Sequence, residues 1–169
     1  MRRFILSFLG SGYLRPAPGT WGSLAALPAA YLVHWLGGPG ILIFCAAALY
    51  ALGVYLTNKE IAASGDTDPS WIVLDEVVGQ WIALTPISIG AYSAGVDVLR
   101  LWPGIIAAFV LFRIFDISKP WLVGQADRRG DATGVMLDDV WAGAFAATVV
   151  AILGLLAHSG LLITLPGQQ

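Results

Sequence analysis

Apolar residues along this 169-residue chain gather into five runs separated by glycine, proline and charged breakers. The first extends from about Trp21 to Leu36, contains Pro28, and stops at Gly37-Gly38-Pro39-Gly40. The second, Ile41 to about Ala63, ends in the polar stretch Ser64-Gly65-Asp66-Thr67-Asp68-Pro69-Ser70. A third runs from Trp71 to about Ile89, a fourth from Pro103 to Ile117, and a fifth from Val135 to about Leu156. Lengths of roughly 15 to 23 residues suit helices that cross, or nearly cross, a hydrocarbon core needing about 20. The pattern predicts an all-α, compact polytopic membrane bundle of about five helices, forming a single domain over residues 1–169. The first and fourth helices are short enough to tilt, half-insert or pack inside the bundle.

Composition supports the membrane reading. Apolar residues make up 57% of the chain and charged residues 12%, with a mean hydropathy of +0.76. A soluble domain carries about 25% charged residues. The net charge of −2 says little about partners, and the lack of a basic tract argues against nucleic acid. Cys45 is alone in an apolar run, which excludes a disulfide framework and reads as a small buried hydrophobe. Met1-Arg2-Arg3-Phe4-Ile5-Leu6 begins like a signal peptide but breaks at Gly10-Ser11-Gly12, too early for an h-region. It reads as a retained amphipathic start.

Passing five helices alternately through a membrane brings every charged patch to the same side. That side holds the start of the first helix, the end of the second, the start of the third, the end of the fourth and the start of the fifth. It also carries Arg2, Arg3, Arg15, Lys59, Arg113, Lys119, Arg128 and Arg129, against Arg100 alone on the other. The positive-inside rule then turns the polar end toward the cytoplasm. Trp21, Trp71, Trp121 and Trp141 near one face, with Trp35 and Trp102 near the other, fit interfacial belts; Trp81 does not, and reads as core.

Carboxylates beside apolar runs are costly and need a reason. Asp75-Glu76 opens the third helix, where the N-terminal dipole favours negative charge and both side chains can reach a common ion. Plain capping is the alternative, although Asp68 and Ser70 stand ready for that. Arg113, Asp116 and Lys119 are spaced i, i+3, i+6 on one helical flank that Pro120 ends. They form either a neutralising ion pair or a site with Asp116 on a metal or as nucleophile and the two cations on phosphate. Asp138-Asp139 opens the last helix, and adjacent like charges call for a cation. Oxygen-only ligands indicate Mg²⁺ or Mn²⁺ rather than zinc. The Gly- and Pro-rich entry Gly10 to Ser23 can cradle a phosphate with Arg15, Thr20 and Ser23, or serve as an ordinary helix-entry turn. Asp127, Arg128, Arg129 and Asp131 read as a solvated loop, and His34 and His158 as single residues on or towards the opposite face.

Four motifs, in order and spacing, resemble the phosphatidylglycerophosphatase A family over about residues 5 to 157. They are Pro18-Gly19-Thr20-Trp21-Gly22-Ser23, Leu74-Asp75-Glu76-Val77-Val78-Gly79-Gln80-Trp81, Phe112-Arg113-Ile114-Phe115-Asp116-Ile117-Ser118-Lys119-Pro120, and Gly134-Val135-Met136-Leu137-Asp138-Asp139-Val140-Trp141. The resemblance implies a Mg²⁺-dependent lipid phosphatase of the bacterial inner membrane, converting phosphatidylglycerophosphate to phosphatidylglycerol and phosphate in phospholipid biosynthesis. Asp75, Glu76, Asp138 and Asp139 are then the expected metal ligands, Arg113 and Lys119 stabilise the phosphoryl group, and Asp116 is the candidate nucleophile or base. Two other classes remain to be weighed. A transporter or proton relay would spread acids through the membrane depth rather than gather them at one face. A CDP-alcohol-type transferase would carry an Asp-Gly-x2-Ala-Arg signature, which is absent.

Overall fold

The computed structural model describes residues 1–159, and the described residues form helices and turns without a strand. Six helices follow in order: α1 (Arg2–Leu6), α2 (Pro18–Ser64), α3 (Leu74–Ala94), α4 (Trp102–Ser118), α5 (Leu122–Asp127) and α6 (Ala132–His158). Single 3₁₀ turns at Ser11–Tyr13 and Val98–Leu101 lead into α2 and α4. Three stretches are long and apolar enough to cross a membrane: Pro18–Ser64, Val98–Ser118 and Ala132–His158.

The first two apolar runs share α2, which breaks at Gly37 and Gly38. Gly38 takes φ +67° and ψ −159°, a conformation essentially reserved for glycine, and a side chain there would press on the Tyr92 ring. The chain doubles back at this point: Gly22 rests on Val73 and Gly53 on Leu74 and Met136, so both ends of α2 return to the start of α3.

α3 is the central helix, packed against α2, α4 and α6. Polar bonds fix the first limb of α2 parallel to it: the Trp81 indole N–H donates to Ala26 O at 3.0 Å, and His34 Nδ1 and Ser88 Oγ are 2.6 Å apart. Trp81 is thus a core residue, as its position outside the aromatic belts suggests. Small residues let backbones approach closely where α3 crosses α6. A Cβ on Gly143 would overlap the Gly79 carbonyl, and one on Gly79 would lie 2.5 Å from the Phe112 ring and 2.6 Å from Asp139 O.

Two local expectations are corrected. Asp138-Asp139 does not open the last helix: α6 begins at Ala132, because Asp131 caps it by accepting the Gly134 N–H at 2.6 Å. The acidic pair therefore occupies the seventh and eighth helical positions, with no capping duty. Nor do Arg113, Asp116 and Lys119 remain on one flank. α4 ends at Ser118, and Lys119 adopts φ +46° ahead of Pro120, which turns its side chain toward α5 and α6.

Candidate active site

The crossing of α3 and α6 determines which side chains meet. Asp75 and Glu76 occupy the first turn of α3, whose N-cap, Val73, offers no side-chain oxygen. Asp68 stays in the preceding loop, its N–H bonded to Asp66 Oδ1 at 3.1 Å, and does not cap the helix. Asp138 and Asp139, 6% and 2% exposed, approach from α6, and Asp116 from the end of α4. Carboxylate oxygens of Asp75, Glu76 and Asp139 lie within 4.8 Å of one another, as do those of Asp116, Asp138 and Asp139. Asp139 is common to both triads. Five carboxylates from three helices thus form one continuous cluster at one end of the bundle.

Two cations face it. Arg113 Nη1 binds Asp116 Oδ2 at 2.7 Å, lies 4.0 Å from Glu76 Oε1, and donates to Ser23 Oγ at 3.4 Å. Gly19 is pressed against Glu76 and Arg113, so the entry of α2 closes this side of the cluster without a side chain in the way. Lys119 Nζ donates to Asp138 Oδ2 at 2.9 Å and to Asp127 Oδ1. Partial burial pulls the Lys119 ammonium down, but its bonds to Asp127 and Asp138 outweigh this and hold it above its ordinary value. Lys119 is a permanent cation at neutral pH.

The donor set suits a hard divalent ion. Glu76 Oε2 and Asp139 Oδ1 are buried and, among the described residues, accept no hydrogen bond. Two cations cannot neutralise five clustered carboxylates, and unpaired buried oxygens call for a ligand. All available donors are oxygens, and neither imidazole nor thiol belongs to either triad, a set suited to an oxygen-seeking divalent cation rather than zinc.

Of the residues expected in the phosphate cradle, Ser23 is brought to Arg113. Arg15 lies exposed in the loop before α2, and Thr20 is half-buried in its first turn; neither bonds to the cluster among the described residues. Sequence reasoning missed Asp127, read as part of a solvated loop, which binds Lys119 from α5. It also missed Glu60. That carboxylate is 1% exposed and held by Arg2 and Arg3 at 2.5 and 2.9 Å, fastening α1 onto the end of α2. Leu6 O then accepts the Val73 N–H at 2.9 Å, and Leu6 packs with Ile72 and Leu74. The N-terminal segment thereby braces the loop that delivers Asp75 and Glu76.

Comparison with known proteins identifies the family. The family model for phosphatidylglycerophosphatase A matches residues 4–154. A phosphatidylglycerophosphatase A of Haemophilus influenzae is 40% identical over 142 residues, covering 83% of this chain and 81% of its own. One from Escherichia coli is 36% identical over 147 residues, with coverages of 86% and 78%. A putative phosphatidylinositol-3-phosphatase of Bacteroides thetaiotaomicron is 38% identical over 147 residues, with coverages of 85% and 87%. No solved structure matches. The chain belongs to the phosphatidylglycerophosphatase A family, a family of phosphoric monoester hydrolases.

Proposed function

We propose that this protein is a Mg²⁺-dependent phosphatase that hydrolyses phosphatidylglycerophosphate to phosphatidylglycerol and inorganic phosphate, a step of phospholipid biosynthesis. The observation that carries the reading is the paired carboxylate triads sharing Asp139, with Arg113 and Lys119 bonded to their members at one end of an apolar bundle. A phosphomonoester on a lipid headgroup sits at such an end while its acyl chains remain in the membrane. The cation bias of the polar end supports a site facing the cytoplasm from the bacterial inner membrane.

In this mechanism Asp75, Glu76, Asp138 and Asp139 would hold Mg²⁺, with Asp116 on the second triad. When bound, Mg²⁺ supplies charge neutralisation and activation of water. Arg113 and Lys119 bind the phosphoryl oxygens and stabilise the charge that develops on them. Asp116, oriented by Arg113, acts as the nucleophile or as the base that takes the proton from attacking water. Asp127 keeps Lys119 protonated and aimed.

The test is phosphate release from phosphatidylglycerophosphate in detergent micelles, with Mg²⁺ or EDTA, beside Asp139→Asn. Release that needs Mg²⁺ and falls at least about 100-fold in the folded variant supports the reading. Near-normal turnover of the variant would refute the site, and no release under any metal would refute the reaction. The Bacteroides relative's name favours one second substrate, phosphatidylinositol 3-phosphate, which belongs in the same assay as a parallel arm. A transporter reading predicts carboxylates distributed in depth, and their convergence at one end weighs against it.

A further inference from the structure

Gln80 has no part in the site described so far, yet its setting is hard to explain as packing. The side chain is 0% exposed, and both its amide nitrogen and its carbonyl oxygen lack a hydrogen-bond partner among the described residues. A carboxamide sealed among apolar helices with both ends unbonded is a standing cost, and an apolar residue of the same size would remove it. Such a cost points to a ligand.

The helix geometry says where the amide lies. Gln80 is four residues after Glu76, on the same face of α3, one turn deeper. Helical side chains lean toward the N-terminus of their own helix, so a long one at position 80 covers the turn that carries Glu76. The register of α2 along α3 locates its other neighbours. Gly19 abuts Glu76 and Ala26 O accepts from Trp81, so Gln80 falls along the stretch of α3 covered by this limb, which also carries the fully buried Ser23. On its other side, Phe112 presses on Gly79, and the adjacent Arg113 reaches Ser23. Arg113 Nε and Glu76 Oε2 are themselves buried and, among the described residues, unpartnered. Gln80 thus lies one turn along α3 from Glu76, on the side facing α2 and α4, where Arg113 and Glu76 also carry unbonded atoms.

We propose that Gln80 is a substrate-binding residue whose amide N–H donates to an oxygen of the phosphoryl group, alongside Arg113 and Ser23. The ligand class is a tetrahedral oxyanion. An uncharged donor at this depth grips the anion without adding a third cation to the carboxylate cluster. The inference rests on the phosphatase reading, which it deepens by naming a phosphate contact.

The test uses the full chain in detergent with Mg²⁺, comparing wild type, Gln80→Leu and Gln80→Met. Calorimetry measures the binding of inorganic phosphate without turnover, and thermal unfolding is recorded in parallel. Both variants are expected to bind phosphate about tenfold more weakly or worse, as loss of a hydrogen bond to a charged oxygen implies, while unfolding no earlier than wild type. Phosphate affinity within twofold of wild type in either folded variant overturns the proposal. So does failure of both variants to fold, which would assign Gln80 to structure, and so does a wild type that binds no phosphate. Wild-type protein that binds phosphate but leaves phosphatidylglycerophosphate intact counts against the lipid substrate alone, and the Gln80 comparison still decides the contact.

Discussion

Replacing Gly143 by alanine tests whether the closeness of α3 and α6 sets the geometry of the carboxylates. The added Cβ would stand 3.0 Å from both Gly79 C and Gly79 Cα, and closer still to its carbonyl oxygen. Ordinary carbon contacts begin near about 3.5 Å, so the two backbones must part by roughly 0.5 to 1 Å. The cluster has little room for this. Oxygens on opposite sides of a Mg²⁺ ion are about 4.2 Å apart, and those of each triad lie within 4.8 Å of one another. Moving the α3 ligands about an ångström from those of α6 disturbs a set of that size. Misplacement by about 1 Å costs on the order of 100-fold in rate, and the overpacking costs about 1–3 kcal/mol of stability. Mg²⁺-dependent phosphate release from micellar lipid should therefore fall about 100-fold, with the half-saturating Mg²⁺ concentration raised. Gly154→Ala, on the same helix with nothing within 4 Å of its Cβ among the described residues, is the control and should leave both unchanged. Gly143→Ala activity within twofold of wild type, at an unchanged Mg²⁺ requirement, would refute the claim that this crossing positions the site.

Further outcomes follow from the charged groups. The Glu60 latch is asymmetric, because the carboxylate is sealed while Arg2 and Arg3 can turn to water. Removing both arginines should cost about 3–5 kcal/mol by stranding a buried charge, whereas Glu60→Gln should cost about 1 kcal/mol; the opposite order in thermal unfolding would contradict the latch. For Lys119, whose folded pKa is raised, the pairing is fully present below the unfolded value of about 10.4 and is lost only as pH rises through the higher folded value. Turnover should then show no Lys119-linked decline between about pH 8 and 10, and Asp127→Asn should bring that decline to lower pH; an alkaline limb that does not move in Asp127→Asn removes Asp127 from this role. For Asp131, the Arg129 side chain and the Gly134 N–H hold the carboxyl below its ordinary range, so its cap is present above that range and lost as pH falls through the folded pKa. Asp131→Ala should lower the unfolding temperature at neutral pH and make no difference in strong acid.

Much of the site was legible because its cause is one-dimensional. Apolar runs of membrane length, read in alternation, bring the ends that carry Asp75-Glu76, Arg113-Asp116-Lys119 and Asp138-Asp139 together, and the structure joins them. Pairwise relations in space left no such trace. Gly79 and Gly143 are unremarkable in their own helices and matter only because each meets the other's backbone. Glu60 ends an apolar run like any interfacial residue, and its burial depends on α1 folding back. The start of α6 was misjudged because Ala132-Thr133-Gly134 is a weak helical signal that the Asp131 cap makes sufficient. Lys119 was assigned to its own helix, since i, i+3 spacing holds only while the helix continues, and Pro120 ends it.

The position of the cluster at the head of α3 also makes the enzyme one-sided. From Asp139 to its end at His158, the membrane-length helix α6 runs about 30 Å, the full thickness of the hydrocarbon layer. Headgroups in the distant monolayer cannot bridge that distance, so each molecule draws on a single leaflet. In sealed vesicles carrying substrate in both leaflets, and with every enzyme inserted the same way, hydrolysis runs quickly to half completion. Transbilayer movement of the lipid then sets the pace of the remainder.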